Sequence, residues 1–84
     1  MKDVKDIKFA IRYIPTKQWV RIWFGLAWEG YVQLMDDFYS DVLYSARNII
    51  DEDLTYAFWG NGKGRIDTKD FEIVKIEVTY KLPD

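Results

Sequence analysis

Ile7-Lys8-Phe9-Ala10-Ile11-Arg12-Tyr13, the break at Pro15-Thr16-Lys17, and Trp19-Val20-Arg21-Ile22-Trp23-Phe24 form the stretch from which the fold follows. The first run alternates apolar and polar residues with period two, the pattern of a half-buried strand. Ile7, Phe9, Ile11 and Tyr13 fall on one face; Lys8, Ala10 and Arg12 fall on the other. Pro15 pre-sets the first corner of a turn. Alternation then resumes, with Val20, Ile22 and Phe24 on one face and Trp19, Arg21 and Trp23 on the other. Two such runs joined by a short turn predict an antiparallel hairpin.

Working outward, a second corner is expected at Trp28-Glu29-Gly30, followed by a short strand through Tyr31-Val32-Gln33-Leu34. Val42, Leu43, Ala46, Ile49 and Ile50 then recur at helical spacing, predicting a helix over residues 40–52. Asp36, Asp37 or Ser40 is expected to supply its N-cap oxygen, with Asp41 at the positive end of the dipole. Leu54 to Trp59 reads as short and extended, and Gly60-Asn61-Gly62-Lys63-Gly64 as a flexible loop. Asp67 to Asp70 reads as a turn. In the closing strand Val74, Ile76, Val78, Tyr80 and Leu82 are expected to face inward, with Lys75, Glu77, Thr79 and Lys81 toward water. The predicted fold is a single α+β domain over residues 1–84. It is a small antiparallel sheet of four to five strands with one amphipathic helix on one face.

Composition narrows the chemistry. The 84 residues contain no His and no Cys, yet 18% are aromatic, four of them Trp. A chain this short buries roughly 60–65% of its unfolded surface. Without cysteine there is no disulfide framework or thiolate metal site, so a reducing cytoplasm is the expected compartment. No secretory leader or membrane span is legible: the opening residues alternate in sign, and the run Ile22 to Trp28 is far short of the ~18–20 residues a span needs. Net charge is −2 but uneven. Residues 1–24 carry six basic and two acidic groups, and residues 25–54 one basic against seven acidic. Such segregation can set faces of opposite potential.

The usual catalytic and cofactor templates fail. Gly62-Lys63 is followed by Gly64 rather than Ser or Thr, with no Gly placed to complete a phosphate loop. A calcium loop ending at Glu72 would put Lys63 and Arg65 at ligand positions. Ser40 and Ser45 have no imidazole to deprotonate them. The expectation is therefore a non-enzyme with no metal and no cofactor.

The outer face of the first hairpin is the leading candidate site. Arg12, Trp19, Arg21 and Trp23 mix indoles with guanidinium groups, a composition enriched at protein interfaces. The same mixture could stack and neutralise single-stranded nucleic acid. Trp19 and Trp23 could also bury against the symmetry mates of a homodimer, or beneath residues 25–35 of the same chain. A second candidate is the acidic and aromatic band of Asp37, Asp41, Tyr44, Asp51 and Glu52, whose carboxylates could imitate phosphates.

The closing segment Asp70-Phe71-Glu72-Ile73-Val74-Lys75-Ile76-Glu77-Val78-Thr79-Tyr80-Lys81-Leu82, with the small size, resembles small accessory proteins encoded by phages and mobile elements of Gram-positive bacteria. The resemblance implies a non-catalytic role, binding and blocking a host or defence protein in the host cytoplasm, as anti-CRISPR proteins do. It carries no functional residues with it.

Overall fold

A computed structural model describes residues 2–83. Five strands form one mixed sheet in the order β4-β3-β2-β1-β5: β1 (Lys2–Tyr13), β2 (Gln18–Phe24), β3 (Gly30–Met35), β4 (Phe58–Trp59) and β5 (Phe71–Leu82). All neighbours are antiparallel except β3 and β4, which run parallel. One α-helix, α1 (Arg47–Thr55), covers one face. No described helix is long and apolar enough to cross a membrane.

The first hairpin forms as its alternation predicts. Arg12 pairs with Trp19 and Tyr13 with Gln18, and the turn closes through the Lys17 N–H donating to the Tyr13 carbonyl at 2.8 Å. Lys17 takes the left-handed conformation (φ 59°) that a short hairpin loop often requires of one residue. Beyond Arg12 the two strands part. The edge of β1 that β2 leaves is taken by Tyr44, which exchanges two backbone hydrogen bonds with Phe9, at 2.9 and 2.7 Å.

That exchange explains why the helix departs from its predicted bounds. Tyr44 must be extended to pair with Phe9, so the predicted helix over 40–52 is divided. Ser40–Val42 make only a 3₁₀ turn, and α1 starts at Arg47. Its N-cap is Ala46, with no side-chain cap, rather than Asp36, Asp37 or Ser40. Of the predicted stripe, Ile50 reaches the core and Ile49 is exposed, while Leu54 joins from the extra C-terminal turn. A nine-residue helix without a cap is marginal alone, so the sheet that Ile50 and Leu54 contact holds it in place.

The core gathers Ile11, Val20, Val32, Ile50, Leu54, Ala57 and Phe71. Tyr13, Trp59 and Phe71 pack ring to ring beside it, with centroids 5.2 to 5.7 Å apart. In the closing strand the core takes Phe71 and Ile73, which pair with Tyr13 and Ile11. The predicted inward row, Val74 to Leu82, lies on the opposite face, and Tyr80 and Leu82 are exposed. Alternation identified the two faces of this strand; the helix, present only at one end, decides which face is core. Residues 60–62 make a turn and a bend before an irregular stretch, with Gly62 and Gly64 at φ 83° and 92°. Thr68–Asp70 form a second 3₁₀ turn, where the Asp67 carboxylate accepts from the Lys69 N–H at 3.2 Å.

Candidate functional site

Arg12, Trp19, Arg21 and Trp23 do share the sheet face opposite the helix, as their alternation and the registers Arg12↔Trp19 and Trp23↔Tyr31 require. They do not form one uncovered patch. The chain leaving β3 crosses this face: Phe38 meets Trp19 edge-on at 4.9 Å, and Asp41 pairs with Arg21. Arg12 donates from Nε to Glu72 at 2.8 Å while its guanidinium stacks over Trp19 at 5.6 Å. Trp19 is therefore half-buried, between Phe38 of the crossing segment and Met35, its cross-strand neighbour on β3. Both arginines spend their charge on carboxylates of the same chain. Trp23 differs: its indole stacks on Tyr31 at 4.4 Å and stays 44% exposed. It also lines a groove of about 460 Å³ with Leu34, Trp59 and Gly60.

The acidic band is likewise divided. Asp37 is exposed, and Asp41 is held by Arg21. Asp51 and Glu52 face two separate depressions, one with Thr68 and Phe71 and the other with Trp28 and Tyr56. Tyr44 lies against Asp53. Burial, then the Asp53 charge, pushes its phenol up to about 12 from an ordinary 10.0. Burial likewise raises the Asp53 carboxyl, while its hydrogen bond with Tyr44 opposes the rise.

The Tyr44 shift has a measurable consequence. Between about pH 10 and about pH 12 the folded chain keeps a proton that the unfolded chain has released, so stability falls as pH rises through that window. Below the unfolded value the contribution is complete. The urea midpoint of the native protein should drop between about pH 10 and about pH 12, and by less in Tyr44→Phe, which has no phenol to titrate there. Equal drops in the two proteins would show that Tyr44 titrates freely.

The most exposed apolar surface lies at the second corner, beside Glu29 and Gly30. Leu26 is fully exposed and Trp28 is 83% exposed at the tip of the β2–β3 hairpin. The tip is nevertheless built. The Gly25 N–H donates to the Glu29 carbonyl at 2.9 Å, and the Trp28 N–H to the Gly25 carbonyl at 3.0 Å. The Glu29 carboxylate folds back over Gly25, accepting from the Ala27 N–H at 2.9 Å and the Tyr31 hydroxyl at 3.1 Å. A Cβ on Gly25 would meet that carboxylate at 2.1 Å, so a larger residue here would push the Glu29 side chain out of its position over the turn. Burial, then the hydrogen bond to Glu29, raises the Tyr31 phenol.

Trp28 itself sits at φ +63°, a left-handed conformation rare for a bulky side chain. It borders a cleft of about 350 Å³ with Phe24, Tyr56, Phe58, Glu29, Glu52 and Asp53. Arg65 stacks over Phe58 at 5.6 Å at the same cleft. Sequence reading missed Leu26 and Trp28 because a hairpin tip carries no periodicity, so nothing marked them as uncovered. Searches of protein families, curated proteins and solved structures find no match to this chain.

Proposed function

We propose that this domain is a non-catalytic, stoichiometric protein-binding module. Its docking surface runs from the Trp23–Tyr31 stack to the hairpin tip at Leu26 and Trp28. The observation that carries the reading is Trp28: a large indole, almost wholly exposed, held in a left-handed conformation by an ordered turn. Strain at an exposed aromatic has no packing return within the domain, and such outliers gather at functional positions. The Glu29 hydrogen bonds pre-organise the tip, which lowers the ordering cost of binding. The carboxylates of Glu29, Glu52 and Asp53 outnumber the one cation, Arg65, around the cleft and fit a partner with an apolar pocket rimmed mainly by basic groups. Binding and blocking another protein is also the role implied by the resemblance to phage accessory proteins. The nucleic-acid alternative loses support because Arg12 and Arg21 are already paired with Glu72 and Asp41.

The test is Trp28→Gly. Glycine adopts this backbone conformation without penalty, so unfolding stability should be unchanged or higher by about 1 kcal/mol. Capture of protein partners from extracts of the native host should be lost, with the circular dichroism spectrum retained. A variant that captures the same proteins as the native chain would refute the assignment of the tip.

A further inference from the structure

The longest unsatisfied backbone surface in the described structure is the outer edge of β5. β5 lies at one end of the strand order, and its pairing with β1 runs unbroken from Tyr13↔Phe71 to Lys2↔Leu82 with no bulge. No backbone hydrogen bond among the described residues reaches its other edge. Twelve residues of strand give about 40 Å of straight template. Monomeric proteins blunt such edges with proline, bulges, short strands or charged side chains, lysine above all. Between Phe71 and Leu82 there is no proline and no bulge, and the charges on the face shared with Ile73 alternate in sign: Lys75 then Glu77.

We propose that β5 pairs antiparallel with β5 of a second copy of this chain, joining two sheets across a two-fold axis at Ile76. In an isologous contact residue i meets j and j meets i. With Ile76 opposite its own copy, Lys75 lies opposite Glu77 of the second copy, and Glu77 opposite its Lys75. On the other face Val74 meets Val78, and the Val74-Ile76-Val78 row of each copy, half-buried in one chain, becomes one continuous stripe. Opposite charges directly across a strand pair stabilise it, and like charges destabilise it. Moving the axis one residue either way sets Lys75 on Lys75 or Glu77 on Glu77. An axis at Thr79 sets Glu77 against Lys81 but pairs a much shorter stretch. Glu77 already has Lys5 at 3.5 Å within its own chain, an exposed contact that leaves room for a second cation. The charge pattern therefore names both the occupant and the register.

The experiment is a charge exchange followed by analytical ultracentrifugation over a concentration series. The native protein should sediment as a concentration-dependent dimer. Lys75→Glu and Glu77→Lys should each weaken the dimer at least about tenfold, since both symmetry-related pairs become like-charged. An equimolar mixture of the two variants should restore it as a heterodimer, because each Glu then faces a Lys. Recovery in the mixture also establishes that both variants fold. A native protein that stays monomeric at millimolar concentration overturns the proposal and leaves the edge for a foreign strand. A dimer indifferent to both reversals, or a mixture that fails to recover, overturns it as well.

Discussion

Ile50→Ala is expected to unfold a substantial fraction of the protein at room temperature. Ile50 is fully buried, and with Leu54 it supplies the helix side of the core. Removing a buried Ile side chain down to Ala costs about 2–5 kcal/mol, the upper values where the cavity does not collapse. The sheet below presents β-branched Ile11, Val20 and Val32, whose stiff rotamers resist collapse. A domain of this size has a total stability on the order of 5 kcal/mol, so the loss is comparable to the whole. Loss of the core anchor should also release α1, which has no side-chain cap to hold it otherwise. Chemical denaturation followed by tryptophan fluorescence measures the change. A loss under about 1 kcal/mol would mean that the helix is peripheral to the core.

Trp19→Ala should also act on stability, by about 2–3 kcal/mol. The indole is the shared neighbour of Phe38 and the Arg12 guanidinium, and it lies beneath the crossing segment that carries Asp41 to Arg21. Deleting it removes an edge-to-face aromatic pair and a cation–π contact together. The exposed ion pairs themselves contribute little, about 0–1 kcal/mol each, so Arg12→Ala and Arg21→Ala should be mild by comparison. If Trp19→Ala retained full stability and lost only binding, Trp19 would be an anchor of the docking surface instead of a support for residues 36–42. The comparison of Trp19→Ala with Trp28→Gly thus separates the indole that builds the domain from the one that serves it.

Much of this architecture was legible from alternation alone. Strands β1, β2 and β5 stand where period-two runs place them, and the faces of Val20 and Trp19 were assigned correctly. The helix boundaries were not legible, because Val42 to Ile50 satisfies a helical template while Tyr44 is recruited by Phe9, far away in sequence. Tertiary pairing overrode a local pattern. Strand β4 was legible only as the end of the extended stretch expected over Leu54 to Trp59: Leu54 and Thr55 belong to α1, and the two residues left in the strand, Phe58 and Trp59, are too few to show a period. The candidate site divided along the same line. Sequence spacing put Arg12, Trp19, Arg21 and Trp23 on one face, but only the path of residues 36–42 decides that Trp19 is covered and Trp23 open. Charge was the weakest guide. The acidic residues counted as a block disperse to an ion pair with Arg21, a contact with Tyr44 and two separate clefts.

Two surfaces with different demands emerge from one small sheet. The β2–β3 tip presents rigid aromatic area of the kind that anchors protein interfaces, whereas the β5 edge offers unpaired backbone and matched charges. They lie on opposite ends of the strand order, β3 near one edge and β5 at the other. A dimer through β5 would therefore leave both tips available and make the binding bivalent, raising avidity for a partner with two sites.

The tip assignment is tested most directly by following the four indole N–H resonances of the isotope-labelled protein while a captured partner is added, with Trp28→Gly providing the assignment. The Trp28 resonance should shift and broaden first, that of Trp23 should respond more weakly, and those of Trp19 and Trp59 should keep their positions. Perturbation centred on Trp19 with Trp28 unmoved would contradict the account.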